Sequence, residues 1–409
     1  MNIKYIIIYF LYVVDRGDYM QALDLTRPVW AEINLDNLAH NIREVKRITK
    51  EDVLITAVIK ANAYGHGSVN AAKAFLAGGA DGLAVGTLSE AIELRKANIY
   101  VPILVLGYIP VAQYPLALNW GITQTIYNYE SAKVLSQEAL SLGRRSTIHI
   151  KIDSGMGRLG FLPDEDSVED IIKIAKLPNL EIEGIYSHFS RADEMDKQYT
   201  RLQFEKFMYI VKKLEERGLT IPIKHISNSA AIIDIPEYNL DMVRAGIMLY
   251  GYYPSEEVNK GRVTLKPAMT LKAKVSNIKK VPKDTNISYG GIYVTKKEST
   301  IATIPIGYAD GFTRLLTSKA EAFIKGQRVP VVGKICMDQC MLDVSEIEDV
   351  NIGDEVVIFG YEEDQPTVEE IATKLNTNSY EIICMVARRV PRVYMEDGKL
   401  INIVDYLLD

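Results

Sequence analysis

Lys60 stands where an apolar run, Leu54–Ile59, stops and a glycine-flanked polar segment, Ala61-Asn62-Ala63-Tyr64-Gly65-His66-Gly67, begins. A lysine there can reach an aldehyde without crossing its own core. Partial burial would lower its pKa and leave a neutral, nucleophilic amine able to form a Schiff base. Tyr64, four residues on, supplies a hydroxyl suited to a phosphate. On spacing alone an ordinary surface lysine after a strand is the better reading of Lys60, so the rest of the chain has to decide.

Several other segments offer chemistry. Asp153-Ser154-Gly155-Met156-Gly157-Arg158-Leu159-Gly160 is glycine-rich but has no Walker lysine, which argues against a nucleotide loop. Arg158 suits a planar carboxylate, and Lys151 points at the same place from the end of an apolar run; two such cations repel unless one is neutralised. Asn228-Ser229 before Ala230-Ala231-Ile232-Ile233 is a natural helix cap. Ser229 with the backbone N–H groups of Gly246 and Ile247 could equally hold a phosphate. Arg244 closes another apolar run, either as an ion-paired surface residue or as a group that can only donate hydrogen bonds. His225 is placed to orient Arg244 or to be a core histidine. Tyr289, in Ile287-Ser288-Tyr289-Gly290-Gly291, lies in a turn where tyrosine is usually structural, and an unperturbed pKa of about 10 makes phenolate scarce at neutral pH. Tyr308, with Arg314 behind it, and Met337-Asp338 sit in two more polar turns after apolar strands.

Short apolar runs alternate with helix-length periodic segments from Trp30 to about Tyr253, the pattern of a parallel sheet with crossover helices. The runs are Leu54–Ile59, Gly82–Val85, Ile103–Leu106, Ile122–Ile126, Thr147–Ile152, Ile182–Ser187, Ile223–Ser227 and Asp241–Arg244. Eight strand–helix units fit a closed (β/α)8 barrel of the TIM type, for which about 250 residues is typical. The polar candidates Lys60, Lys151, Arg158, His188, Ser229 and Arg244 follow the carboxyl ends of these runs, where such barrels build active sites. A doubly wound open sheet fits less well, because no G-x-G-x-x-G follows an early strand. Beyond Thr264 the texture turns to strand-like segments, with Thr367–Leu375 the one clear helix. The expected organisation is therefore an extension over residues 1–25, a barrel over 26–263 and a second, mostly β-strand domain over 264–409.

With 48% hydrophobic and 24% charged residues in 409, the chain reads as an ordinary globular protein with room for two cores. A net charge of −6 and no basic run give no electrostatic footprint for nucleic acid or anionic lipid, so a small molecule is the expected partner. Cys336, Cys340 and Cys384 cannot all pair and make a poor zinc site, so no metal is expected and reduced cytoplasmic thiols are the simpler reading. The apolar run Tyr5 to Val14 is too short to span a bilayer, and no clear small-residue cleavage site follows it. A start at Met20, leaving 409 − 19 = 390 residues with 1 to 19 dispensable, is favoured over secretion.

Taken together, the Lys60–Gly67 segment, the Lys151–Gly160 loop, Asn228-Ser229, Met242–Ile247 and the Tyr289, Tyr308 and Met337 turns resemble bacterial alanine racemase, a pyridoxal-phosphate enzyme of fold-type III, from about Trp30 to Tyr394. The resemblance implies pyridoxal 5'-phosphate bound as a Schiff base on Lys60, with its phosphate at Tyr64, Ser229, Gly246, Ile247 and Tyr394. It also implies Arg244 at the pyridine nitrogen and His188 beside the ring or Tyr289. Lys60 and Tyr289 would be the two bases, Tyr289 coming from the other subunit of a homodimer with shared sites. Arg158 and the Met337 N–H would bind the substrate carboxylate, Tyr308 and Tyr394 would narrow the entry, and Lys151 would be carbamylated to hold Arg158. His225, Asp338 and Arg314 would support them. The implied activity is interconversion of L- and D-alanine, supplying D-alanine for the cell wall. Racemases for serine, or for lysine and arginine, share this framework. A decarboxylase of the same cofactor class needs an acidic group where this chain has Arg244, and a non-catalytic cofactor-binding protein needs only the barrel.

Overall fold

The computed structural model describes residues 27–408, so the expected 1–25 extension and the start at Met20 lie outside the described residues. Two compact units emerge. One holds Asn37–Ala63 and Ser68–Lys266; the other holds the described residues up to Asp36, Tyr64–Gly67, and the chain from Pro267.

The first strand, β1 (Val29–Asn34), corrects the expected boundary at residue 26, because it belongs to the second unit. The barrel strands are β2 (Leu54–Val58), β3 (Gly82–Val85), β4 (Ile103–Val105), β5 (Thr123–Ile126), β6 (Ser146–Lys151), β7 (Leu180–Tyr186), β8 (Ile223–His225) and β9 (Met242–Ala245). All eight fall on the expected runs. They pair in parallel in the order β8-β7-β6-β5-β4-β3-β2-β9. The Asp241 N–H to Lys224 carbonyl and Arg244 N–H to Ser227 carbonyl bonds, each 3.1 Å, bring β9 back to β8. Strands β3, β4, β5 and β9 are buried along their whole length, as a parallel sheet covered by helices requires. The covering helices are amphipathic: Leu35–Ile48 buries Leu38, Ile42 and Val45 at helical spacing. Thr87, Asn128 and Asp164 cap the helices that follow them.

In the second unit the strands are β10 (Met269–Lys274), β11 (Asn277–Val281), β12 (Asn286–Ile287), β13 (Tyr293–Val294), β14 (Ser299–Ile304), β15 (Glu321–Ile324), β16 (Gln327–Val332), β17 (Cys340–Asp343), β18 (Glu355–Phe359), β19 (Arg392–Glu396) and β20 (Lys399–Val404). The single strand expected over Thr270–Val281 is two, β10 and β11. Strand β1 lies between β10 and β19, antiparallel to the first (Ala31 opposite Leu271) and parallel to the second (Ala31 opposite Arg392). Val29, Trp30, Ala31 and Ile33 are all buried, so its near-continuous apolar run reflects an inner strand rather than the start of the barrel. Tyr64–Gly67 joins this unit through the buried Arg392, whose guanidinium donates to Gly65 O at 2.9 Å and to Val386 O at 2.7 Å. The capped helix at Thr367 is present, with Thr367 Oγ1 accepting from Glu370 N–H at 3.2 Å. A second helix, Ser379–Met385, follows it, capped by Asn378. Its seven residues are too few to show a helical period, which is why the sequence reading missed it.

Among the described residues no helix is long and apolar enough to cross a membrane, and no group of His, Cys, Asp and Glu could hold a metal ion.

Candidate active site

Strand β2 ends buried at Val58 and Ile59, and the Ile59 N–H still bonds to Ala84 O at 2.8 Å, so Lys60 leaves a fixed rung. Its side chain is exposed. The backbone then does something L-residues avoid: Ala61, Asn62, Ala63 and Tyr64 all have φ of 51 to 56°, a left-handed turn without glycine. Each such residue costs about 1–2 kcal/mol and persists only where its surroundings over-determine it. Glu90 does much of that. Its Oε1 accepts from Ala61 N–H at 2.7 Å, and its Oε2 from Gly86 and Thr87 N–H at 2.7 and 3.1 Å. Asn62 Oδ1 accepts from Ser68 N–H at 3.0 Å, tying the far end of the turn to the next helix.

Glu90 was not singled out from the sequence, although Thr87-x-x-Glu90 is a capping-box pattern directly after β3. Glu90→Ala should leave three N–H groups without their acceptor and let the Lys60 turn relax, lowering kcat/KM by about 10²-fold, the order expected of an ångström-scale misplacement. Glu90→Gln should lose less. An unchanged kcat/KM in a folded Glu90→Ala protein would show that the turn holds itself.

At the end of β6, Lys151 is buried, with Nζ donating to Ile152 O at 2.8 Å and lying 5.1 Å from the centre of the Tyr186 ring. Burial, reinforced by the Arg244 cation, pulls its pKa down to about 7. Asp153 organises the loop after it: four successive N–H groups, Gly155 to Arg158, converge on its carboxylate at 2.8 to 3.0 Å. Burial acts upward on that carboxyl, but the four donors hold it below its usual range. The loop leaves Arg158 exposed at its tip.

Arg244 on β9 adjoins β2 directly, with Thr56 as its register partner. It is 3% exposed. Its Nη1 contacts His225 Nδ1 at 2.7 Å, and its Nη2 donates to Ser187 O at 2.8 Å and Ile226 O at 3.1 Å and lies 3.3 Å from His188 Nδ1. Burial lowers its pKa to about 10, so it remains a cation. His188 and His225 are pushed well below the usual imidazole range, first by burial and then by Arg244, and both stay neutral. Tyr186, which the sequence reading passed over, stacks on His225 with ring centres 4.7 Å apart and lies under the Arg244 guanidinium at 5.1 Å. Ser229 opens the helix Ser229–Asp234, and its Oγ accepts from Gly246 N–H at 2.9 Å. Two helical starts, at Ser229 and Ile247, are thereby linked by one hydroxyl.

In the second unit, Tyr64 is buried with its ring centre 6.1 Å from that of Tyr380, and burial raises its pKa so that it keeps its proton. Tyr394, on β19, is buried and donates its hydroxyl to His66 O at 3.1 Å; a Cβ on Gly67 would collide with that hydroxyl. Three loops expected to face a ligand are brought together. Tyr308 N–H bonds Cys336 O at 3.0 Å, Ala309 N–H bonds Met337 O at 3.1 Å, and Ser288 Oγ bonds Lys334 O at 2.6 Å. Tyr289, Tyr308 and Met337 are all exposed there. Asp338 is held by Arg389 Nη2 at 2.7 Å, while Arg314 lies exposed in the turn Arg314–Leu316. Among the described residues no disulfide joins Cys336, Cys340 or Cys384.

Comparison with known proteins decides among the families that could use such residues. The alanine racemase N-terminal domain model matches residues 33–254, and the alanine racemase C-terminal domain model matches 268–394. The chain belongs to the alanine racemase family. An alanine racemase of Clostridium tetani is 53% identical over 93% of this chain and 99% of its own length. One from Methanococcus maripaludis is 54% identical over 91% of this chain and 100% of its own. The alanine racemase structure of Clostridium difficile 630 superposes with a TM-score of 0.91 at 49% identity, covering 94% of this chain and 100% of that one. A histidine racemase from Leuconostoc mesenteroides shares the fold at 28% identity and a TM-score of 0.84, over 90% of this chain and 98% of that one. Alanine racemases are pyridoxal-phosphate enzymes, and in this racemase the exposed lysine, the buried arginine and the linked helix starts all stand at carboxyl ends of barrel strands.

Proposed function

We propose that this chain interconverts L- and D-alanine on pyridoxal 5'-phosphate, with Lys60 and Tyr289 as the two bases, and that the product serves cell-wall synthesis. The observation that carries the cofactor assignment is Arg244: a buried, permanently charged donor flanked by neutral His188 and His225 suits a ring nitrogen that only accepts. The remaining groups fit as well. Ser229, Gly246 and Ile247 bring together N–H groups that a helix leaves without internal acceptors, suited to a phosphate, and Tyr64 and Tyr394 are its further proposed contacts. When bound, pyridoxal phosphate supplies the electron sink that makes an α-proton removable.

Lys60 would hold the cofactor's aldehyde carbon and, once displaced by the substrate amine, exchange a proton with the substrate α-carbon on the D face. Tyr289 of a second copy of the chain would do the same on the L face. Two preplaced bases need only swap protonation states, whereas a single one would have to cross the cofactor plane. Arg158 and the Met337 N–H would bind the substrate carboxylate, and Tyr308 with Tyr394 would restrict the entry to a methyl-sized side chain. His188 would flank the ring, and Asp338 and Arg314 would support the second copy's loops. The exposure of Tyr289, Tyr308 and Met337 in the single chain supports a homodimer in which they complete the neighbouring site. Lys151 would be carbamylated: its neutral amine attacks carbon dioxide, an N–C bond forms, a proton leaves, and the resulting anion sits between Arg158 and Arg244. Its lowered pKa supports that step, because only the unprotonated amine reacts.

Racemisation measured on a panel of L-amino acids, histidine, serine and lysine included, with and without added pyridoxal phosphate, tests the whole reading. Alanine should turn over fastest and should require the cofactor. A different preferred substrate, or turnover indifferent to pyridoxal phosphate, would overturn it.

A further inference from the structure

Behind Arg244 lies a line of polar side chains that the reaction described above does not use. His225 Nε2 lies 2.8 Å from His149 Nδ1, and His149 Nε2 lies 3.0 Å from Glu183 Oε2. The line begins at the 2.7 Å contact between Arg244 Nη1 and His225 Nδ1. Its members stand on four neighbouring strands: Arg244 on β9, His225 on β8, Glu183 on β7 and His149 on β6.

Elementary donor counting fixes every proton in it. Arginine only donates, so His225 Nδ1 must accept and His225 must carry its hydrogen on Nε2. That hydrogen points at His149 Nδ1, which must therefore accept, leaving His149 protonated on Nε2 and donating to the Glu183 carboxylate. A second proton on either ring would set two N–H groups face to face, against Arg244 at His225 or against His225 at His149. The other groups around the rings agree: Tyr186 stacks on His225 and meets His149 edge-on, and the Lys151 side chain and the Arg244 guanidinium lie over Tyr186.

Two irregularities of β7 make the line possible. The β6–β7 register shifts between Ile148 and His149: Ile148 pairs with Ile182, but His149 pairs with Gly184, so Glu183 is the extra residue of a bulge. Bulges re-aim a side chain, and this one turns Glu183 toward His149. Next to it, Gly184 pairs with His149 on β6 and with Ile223 on β8. A Cβ there would stand 2.5 Å from His149 Nδ1, the very atom that accepts from His225.

We propose that Glu183 and His149 are positioning residues for Arg244, forming with His225 a one-way chain of N–H bonds that holds the guanidinium in a single orientation, and that Gly184 is there to let this chain cross β7. Its catalytic consequence rests on the reading that Arg244 faces the cofactor's ring nitrogen. A loosened Arg244 lets that nitrogen take up a proton, which favours wasteful transamination over return of the proton to the substrate.

The test uses holoenzyme carrying ¹⁵N-labelled histidine and arginine. Long-range ¹H–¹⁵N spectra should show His149 and His225 both carrying hydrogen on Nε2 and none on Nδ1, the arrangement that the donor counting requires. Glu183→Gln, which keeps the shape but not the charge, and Gly184→Ala, whose Cβ would crowd His149 Nδ1 without changing any charge, should each shift the Arg244 side-chain signals. Each should also lower kcat by about tenfold, the scale of lost outer-layer support, raise transamination per turnover by a similar factor, and leave KM for alanine within about twofold. An Nδ1–H or doubly protonated ring at either histidine of the parent enzyme overturns the proposal. So does a folded Glu183→Gln enzyme whose Arg244 signals and transamination ratio are unmoved, because a merely structural Glu183 would change stability alone. Failure of the cofactor reading looks different: Arg244→Gln would then leave the visible band and the transamination ratio as they were while both histidines kept their tautomers.

Discussion

Lys60→Ala should give a colourless protein after dialysis and a racemisation rate lower by about four orders of magnitude or more, since the change removes both the covalent anchor and one base. The effect should be this large because nothing nearby can substitute. Lys151, the other barrel lysine at the site, ends β6 with its amine committed to Ile152 O and packed over Tyr186, whereas Lys60 is exposed at the head of a turn held by Glu90. Far-ultraviolet circular dichroism should be unchanged, because the Lys60 side chain is exposed and contributes little to the core. Colour that survives dialysis together with activity within an order of magnitude of the parent would remove Lys60 from both roles.

Tyr289→Phe should lower the rate in the L-to-D direction by about 10²- to 10⁴-fold, the span of a lost general acid–base, while the visible band persists. The side chain is 69% exposed in the single chain, so the deletion of one hydroxyl should cost no stability. Mixing supplies the sharper measurement. If each site takes Lys60 from one chain and Tyr289 from the other, Lys60→Ala and Tyr289→Phe proteins, each nearly inactive, should recover on subunit exchange. Half of the dimers would be mixed and each would hold one intact site of two, so about a quarter of the parent activity should return. No recovery after verified exchange would place both bases on one chain.

Much of this was legible before any coordinates, for identifiable reasons. Parallel barrel strands are largely buried and appear as short runs rich in β-branched apolar residues, so all eight could be read off, and the polar residues after five of these runs marked the face where chemistry gathers. The linear chain concealed what depends on non-local pairing. Strand β1 has the same apolar texture as a barrel strand, and only its partners Leu271 and Arg392 reveal its sheet. His149 was visible in principle, since alternation along Ile148-His149-Ile150-Lys151 puts it on the same face as Lys151, but a lone histidine among isoleucines gives no hint of a partner. Glu183 was not visible at all: regular alternation would aim it with its neighbours' period, and the bulge that redirects it appears only when β6 and β7 are aligned. The left-handed turn after Lys60 was likewise hidden, because Ala61 and Ala63 do not favour that conformation, and the Glu90 carboxylate that accepts from Ala61 N–H comes from a segment 29 residues further on.

The place of β1 has a consequence for how the chain matures. Ala31 must find Leu271 and Arg392, across most of the polypeptide, before the ten-stranded sheet is complete. Contacts so distant along the chain are slow to form, and synthesis delivers them last. The barrel strands, contiguous from Leu54 to Ala245, can assemble while the ribosome is still translating. Until β10 and β19 emerge, the Val29–Ile33 segment lacks the strands that flank it, the kind of apolar surface that nascent chains must shield from one another.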